Sequence, residues 1–557
     1  MRKNLILTLS ACSLFALSSC SKMGALSADN FTVTPNPLET QGGQVPATIN
    51  GTFPEKYMKR NAVVTIVPEL RSANGTVKQG TGATFQGEKV MGNDQSISYR
   101  MGGHYTMKTS FDYSDDMQRS DMYLTFNARR GSKKVSIPAV KVASGIITTS
   151  ELYKRTMMNA GGCIAPDSFE RVKKQKQEAN IKFLVNQANL RQSELKNNSV
   201  KEFVQMLRKI NKDREGLNLQ NVEIQAYASP EGGFAFNDKL ANKRQNTSEG
   251  YVKQQMKSAG VQSGIDAHYT AQDWDGFQKL VQASNIQDKD VILRVLSMYK
   301  DPEEREQQIR NMSEGFRELA DGILPELRRS RLIINYETIG RSDEEIENQY
   351  NADAARLSPD ELLYLATLKE TDAEKEAVYK KTAELYDKDY RAFNNLAVMA
   401  FNAGDEGTAK RYIAEAQAKN SKAPEAYANL GLIALKHGNI AEAENYMSQA
   451  TDANALDEAL GNLNIAKGNY AQAEKNFENS ASNSAALAQL LNKNYAAAKA
   501  TLGSIKHPDA LTSYLHALVS ARQGNNFAAK SYLDEAISKD PSLAEYAKND
   551  LEFANMK

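Results

Sequence analysis

The residues of this chain that could do chemistry are few and scattered. Its five histidines, His104, His268, His437, His507 and His516, form neither a His-Glu-x-x-His pair nor a short Cys/His cluster, so neither a catalytic nor a structural zinc site is expected. Asp112, Ser114 and Asp116 have the opening spacing of a calcium loop, but Tyr123 stands where the closing Glu belongs. Gly80-Thr81-Gly82 falls short of a dinucleotide fingerprint because Phe85 replaces its third glycine, and it reads as a hairpin turn. Cys163, in Gly161-Gly162-Cys163-Ile164, lacks the partner motif of a nucleophile and reads as a free, inert thiol. Trp274, the sole tryptophan, offers a flat ring for stacking on sugar, although an anchor at the start of a core helix is the simpler reading. A non-enzymatic protein without cofactor or metal is expected.

The elements that would carry such residues are those of a multidomain chain. Its 557 residues correspond to three to five domains at about 100–200 residues each. Lys+Arg total 69 against 68 Asp+Glu, a net charge of +1, which lacks the basic excess of a nucleic-acid binder. Three cysteines exclude a disulfide framework.

Residues 1–19 carry Arg2 and Lys3 ahead of a mainly apolar run that is too short for a retained membrane helix, and they read as a signal peptide. Leu17-Ser18-Ser19-Cys20 resembles the lipobox of bacterial lipoproteins. The resemblance implies cleavage that leaves Cys20 carrying acyl chains, and a lipid tether over residues 20–30. Several acyl chains, at about 0.8 kcal/mol per buried CH₂, exceed the marginal hold of one. Ser21 after the cysteine is compatible with outer-membrane sorting, and the lack of an acidic run through Asn30 favours the periplasmic face.

Residues 31–150 alternate with period two: Val45/Ala47/Ile49, Val64/Ile66, Tyr105/Met107/Thr109/Phe111 and Met122/Leu124/Phe126. Such alternation predicts half-buried strands and an all-β, immunoglobulin-like sandwich. A basic, Gln-rich connector is read at Arg171–Gln177, followed by a strand at Ile181–Val185 and a helix bearing Val200, Phe203, Leu207 and Ile210. A strand at Val222–Tyr227, a helix at Asn237–Met256 and a strand at Gly264–Thr270 complete a β-α-β-α-β order. Amphipathic helices at about 273–327 then precede a strand at Leu332–Tyr336.

Ala226-Tyr-Ala-Ser-Pro-Glu-Gly232, Phe236-Asn237, Leu240-Ala-Asn-Lys-Arg244 and Arg328-Arg329-Ser330-Arg331 resemble the signature of OmpA-like peptidoglycan-binding domains. The resemblance implies an α+β domain over 171–340 with a helical insertion. It also implies a pocket for the diaminopimelate-type residue of the peptidoglycan stem peptide, with Arg244, Asn237, Ser229 and Glu231 at its positions. Arg suits a carboxylate because its planar fork makes two charge-assisted bonds. Ser229 stands where the family has Asp, leaving Glu231 as the carboxylate for the ligand's ammonium. Without a ligand, Arg244 reads as a solvated helix-face residue and Asn237 as a helix N-cap.

Residues 345–557 repeat. Gly404-Asp405, Gly438-Asn439, Gly468-Asn469 and Gly524-Asn525 are each followed by an Ala at the fifth position after the Gly, and Lys493 occupies a glycine-deficient turn. Tyr427, Leu430, Gly431, Gly438, Ala443 and Ala450 resemble tetratricopeptide-repeat positions, implying an all-α solenoid whose concave groove binds peptides or a protein partner. The expected protein is therefore an outer-membrane lipoprotein linking membrane, peptidoglycan and a protein partner. The alternative is an envelope assembly or secretion scaffold whose OmpA-like domain no longer binds peptidoglycan.

Overall fold

Period-two burial becomes strands over the first third of the chain. A computed structural model describes residues 23–159, 162–286, 289–311 and 317–556, so the leader, Cys20 and the first residues of the tether lie outside the described residues. The chain forms two units, Met1–Asp167 with Leu362–Lys557, and Ser168–Glu361. The first unit opens with β1 Phe31–Thr34, β2 Leu38–Glu39, β3 Gln44–Phe53, β4 Ala62–Ser72, β5 Val77–Gln79, β6 Ala83–Gly87, β7 Gln95–Ile97, β8 Gly103–Asp112, β9 Ser120–Arg130, β10 Lys133–Ser144 and β11 Ile146–Ile147. Sheet β1-β3-β8 and sheet β10-β9-β4-β6-β7 share one apolar core, where Val45, Ile49 and Met107 of one meet Ile66, Leu124 and Phe126 of the other. Each fully buried side chain of this kind contributes about 1.5–3 kcal/mol. Gly80-Thr81-Gly82 is not a hairpin turn: β5 and β6 both pair with β4, at Glu69–Arg71 and Val63–Ile66, so the glycines join two strands lying along the same edge. A short turn at Thr149–Leu152 and α1 Tyr153–Asn159 follow.

The inserted unit contains β12 Val172–Lys182, α2 Gln192–Leu195, α3 Asn198–Lys212, β13 Leu217–Tyr227, α4 Phe234–Ala259, β14 Ile265–Thr270, α5 Trp274–Ala283, α6 Lys289–Met298, α7 Pro302–Asn311, α8 Leu324–Leu327, β15 Arg329–Ile339 and α9 Asp343–Asp353. Its sheet order is β12-β15-β13-β14, with β13 and β14 parallel. The expected connector Arg171–Gln177 is the outer half of β12. Val172 to Lys182 pair without a break against Ile339 to Arg329, and the lysines lie on an exposed edge. Helix α3 starts at the Asn197 cap, whose Oδ1 accepts from Val200 N at 2.8 Å, and buries Val200, Phe203, Leu207 and Ile210. The helices between β14 and β15 keep a core of their own around Phe277, Val281, Ile292 and Leu327.

The C-terminal region is an all-α array of α10 Pro359–Leu368, α11 Asp372–Leu385, α12 Tyr390–Asn402, α13 Glu406–Lys419, α14 Pro424–Lys436, α15 Ile440–Met447, α16 Leu456–Ala466, α17 Tyr470–Asn476, α18 Asn483–Leu491, α19 Tyr495–Ser504, α20 Ala510–Arg522, α21 Asn526–Lys539 and α22 Leu543–Asn549. Successive helices from α12 to α21 pack as five antiparallel pairs. Gly431 sits where a Cβ would lie 2.7 Å from Met447 Cγ, which explains the small residue at that crossing. The pair-closing turns place Gly404, Gly438, Gly468 and Gly524 at φ between +75° and +81°, and Lys493 adopts +64° in the turn that lacks glycine.

Candidate functional site

The four residues singled out in the inserted unit line one cavity. Loop Ala228–Gly233 leaves β13 and enters α4 at Gly233, so Asn237 lies inside the helix and is not its cap. Its Nδ2 instead donates to the Ser229 and Gly232 carbonyls, both at 2.9 Å, and holds the loop closed. Ser229, Glu231, Asn237 and Arg244 bound a space of about 410 Å³ with Val185, Phe236, Leu240 and Arg328. Leu184, Val185, Phe234 and Phe236 are about half exposed.

Arg244 is not on a solvated helix face. It is 1% exposed, because α4 turns it inward under the loop after β12. Its Nε donates to Gln187 O at 3.0 Å, Nη1 to Tyr227 O at 2.8 Å and Nη2 to Leu184 O at 3.2 Å, with the guanidinium 5.0 Å from the Phe183 ring centre. All three acceptors are neutral carbonyls. Burial, and then the charge of Arg328, pull its pKa down to about 10. Glu231 is engaged by Arg328, whose Nε and Nη2 reach its Oε1 at 2.9 and 2.8 Å. The charges of that pair cancel, so the cavity keeps the positive charge of Arg244. Ser229 is buried and adds no carboxylate.

A second space of about 390 Å³ lies at the ends of β13 and β14, lined by Tyr227, Asp273, Trp274, Lys279, Arg329 and Arg331 among others. Asp273 caps α5 through Gly276 N and pairs with Arg329 at 3.1 Å. Trp274 opens α5, its ring 5.0 Å from the Arg305 guanidinium and in edge contact with Phe277, which is the anchoring role.

In the repeats, the face formed by the first helix of each pair carries the chain's own segment. Helix α1 contacts α12, α14, α16 and α18, and the extended residues after it run past Asn394, Asn395 and Asn429. These asparagines were not singled out from the sequence. Their signal is an Asn-Leu pair recurring in successive repeats as Asn395-Leu396, Asn429-Leu430 and Asn462-Leu463. Cys163 is buried in this contact as a free thiol, and burial pushes its pKa up to about 12.

At the spacing read against a calcium loop, the Asp112 carbonyl and Ser114 hydroxyl receive Lys78 Nζ at 2.7 and 3.1 Å. Among the described residues, no group of three His, Cys, Asp or Glu converges to hold a metal ion, and no helix is long and apolar enough to cross a membrane.

No protein-family model matches this chain, and no curated protein matches it. Among solved structures, it is similar to a tetratricopeptide repeat protein from Parabacteroides merdae, with 16% identity over 44% of this chain and 99% of that one, at a TM-score of 0.27. PilF of Pseudomonas aeruginosa is 18% identical over 37% of this chain and 100% of its own, at 0.27. PilW, described as a widely conserved type IV pilus biogenesis factor, is 15% identical over 34% and 96%, also at 0.27.

Proposed function

We propose that this protein is a non-enzymatic scaffold of the bacterial outer envelope. Acyl chains on Cys20 hold it at the outer membrane, on the periplasmic face. An immunoglobulin-like sandwich and tetratricopeptide repeats supply protein contacts, and an OmpA-like inserted unit takes an acidic group of the peptidoglycan stem peptide. The observation that carries the wall-binding part is the buried guanidinium of Arg244, whose hydrogen bonds all go to neutral carbonyls beside an open cavity. A buried charge without a counter-charge is costly, and a ligand carboxylate entering there supplies one through the N–H donors those three bonds leave over. Glu231 is the carboxylate that meets the ligand's ammonium, in exchange with Arg328. The sheet order β12-β15-β13-β14 with α3 and α4 supports the domain type.

Co-sedimentation of the full chain with purified sacculi tests this. Wild type is expected to pellet and Glu231→Gln to pellet less, whereas Arg328→Ala, which frees Glu231 for the ammonium, is expected to pellet at least as well as wild type; equal pelleting of wild type and Glu231→Gln removes the cavity from the account. Labelled palmitate is expected in the wild type and absent from Cys20→Ser, which moves to the soluble fraction.

A second reading, a scaffold that no longer binds the wall, is favoured by Ser229, which leaves Glu231 as the cavity's one acid and already bonded to Arg328. Absence of wild-type pelleting, with binding gained in Ser229→Asp, selects it. Turnover of muropeptides by the purified protein would contradict both readings.

A further inference from the structure

The chain that leaves the β-rich region is hydrogen-bonded through its main chain to asparagine side chains of the repeats. Cys163 N donates to Asn429 Oδ1 at 2.7 Å, and the Cys163 carbonyl accepts from Asn429 Nδ2 at 3.0 Å and from Asn394 Nδ2 at 2.9 Å. Two residues on, Ala165 N donates to Asn395 Oδ1 at 2.7 Å and its carbonyl accepts from Asn395 Nδ2 at 3.2 Å. A primary amide offers one acceptor and two donors, so each of Asn395 and Asn429 closes a two-point bond on the main chain of one residue, as a neighbouring β-strand would. Between them, the Ile164 carbonyl accepts from Asn454 Nδ2 at 3.1 Å.

The site reads backbone and permits only small groups at its entrance. A Cβ on Gly162 would lie 2.7 Å from Asn429 Oδ1 and 2.9 Å from Val398 Cγ2. Upstream, Tyr153 and Met157 are 3% and 0% exposed, and the Thr156 and Ser484 hydroxyls bond at 3.0 Å with both residues fully buried. Buried main-chain groups must find partners, and the asparagines supply them without charge.

We infer that the face formed by the first helices of the repeat pairs is a binding site for an extended polypeptide read through its main chain, and that its resident ligand is residues 162–167 of the same chain. The groove is closed to a partner's peptide, and the protein contacts of the repeats use other surfaces. A ligand tethered in cis has an effective concentration in the millimolar range, which a free peptide must exceed. The inference is independent of acylation and of wall binding.

Cys163 supplies the test. In the full chain carrying Cys12→Ser and Cys20→Ser it is the sole thiol, and its modification by a maleimide fluorophore reports departure of the segment from the groove. Labelling is expected to be as slow as global unfolding, and unchanged by the hexapeptide Gly-Ala-Ile-Ala-Pro-Asp at about 0.05 mM, well below that effective concentration. Asn429→Ala is expected to label about 5- to 100-fold faster, the equivalent of about 1–3 kcal/mol for a lost buried amide. Prompt labelling of the wild-type groove, or acceleration by the hexapeptide, overturns the inference and makes the segment a displaceable strap. Amide hydrogen exchange of the unmutated groove gives a check that needs no variant: the Cys163 and Ala165 amides should be as protected as the repeat helices, and exchange at the rate of an exposed chain overturns the proposal.

Discussion

Two arginines largely withdrawn from solvent, Arg244 at 1% exposed and Arg522 with its side chain at 13%, lie one in each unit and are satisfied in opposite ways. Arg522, at the end of α20, reaches Glu552 Oε1 through Nε and Nη2 at 2.9 and 2.5 Å and Glu39 Oε1 through Nη2 at 2.8 Å, while Thr149 Oγ1 donates to the same Glu552 oxygen at 2.5 Å. Burial lowers its pKa, but the bond and charge of Glu552, then Glu39, outweigh this and hold it above the ordinary arginine value. Arg244 has carbonyls only, and its pKa falls. A guanidinium closed by carboxylates joins the β-rich region, its following segment, the repeats and the C-terminal turn into one body. A guanidinium closed by dipoles beside an open cavity keeps an unmet demand for an anion. Withdrawal from solvent is thus shared by the two arginines, and the charge of their acceptors is what differs: carboxylates for Arg522, neutral carbonyls for Arg244.

The sharpest way to break this contrast is Arg522→Met, which strands Glu552 in the interior and should cost about 3–5 kcal/mol in denaturant unfolding followed by helical circular dichroism. Arg244→Met removes three bonds to carbonyls but also an uncompensated charge. It should cost the inserted unit a smaller amount, about 1–2 kcal/mol, while abolishing sacculus binding. Equal losses for the two variants would make Arg244 a purely structural residue.

A third variant probes the same C-terminal turn. Asp550, buried and accepting from Tyr514 Oη at 2.6 Å, has its pKa raised to about 6, chiefly by burial. The folded chain then binds more protons than the unfolded chain between about pH 4 and 6, so this group's contribution to stability falls as pH rises through that window and is constant above it. The difference in Tm between wild type and Asp550→Asn, followed against pH, should show that slope and level off above it. The smallest effect is expected at Lys493→Gly, where relief of the left-handed backbone, partly offset by unfolded-chain entropy, should raise stability by up to about 1 kcal/mol in the same denaturation assay.

What the sequence made legible was local. Alternation at Val45/Ala47/Ile49 marked β3, and the Gly-Asp and Gly-Asn turns marked the ends of the first helices in the repeat pairs. Strand β12 was placed too late, at Ile181–Val185 where it ends at Lys182, because Lys173, Lys174 and Lys176 belong to an edge exposed on both faces and hide its outer half, and its partner β15 is distant in the chain, as the Lys173–Thr338 contact shows. Helix α4 was begun three residues late because Asn237 looks like a cap, whereas Gly233 holds the cap position with no side chain to announce it. The cavity residues were legible as a set, but the burial of Arg244 was not, since its acceptors Leu184 and Gln187 lie in a loop without periodicity. The filling of the groove was least legible: Cys163 and Asn429 are 266 positions apart.

Because Met1–Asp167 and Leu362–Lys557 fold into one unit although the inserted unit separates them in the chain, a single peptide-bond cut within Ser168–Glu361 should not divide the molecule. A nicked sample should run as two bands on a denaturing gel and as one species on a sizing column. A protease acting there would leave a two-chain protein, its halves joined by an amide ladder and a shared guanidinium in place of a covalent bond.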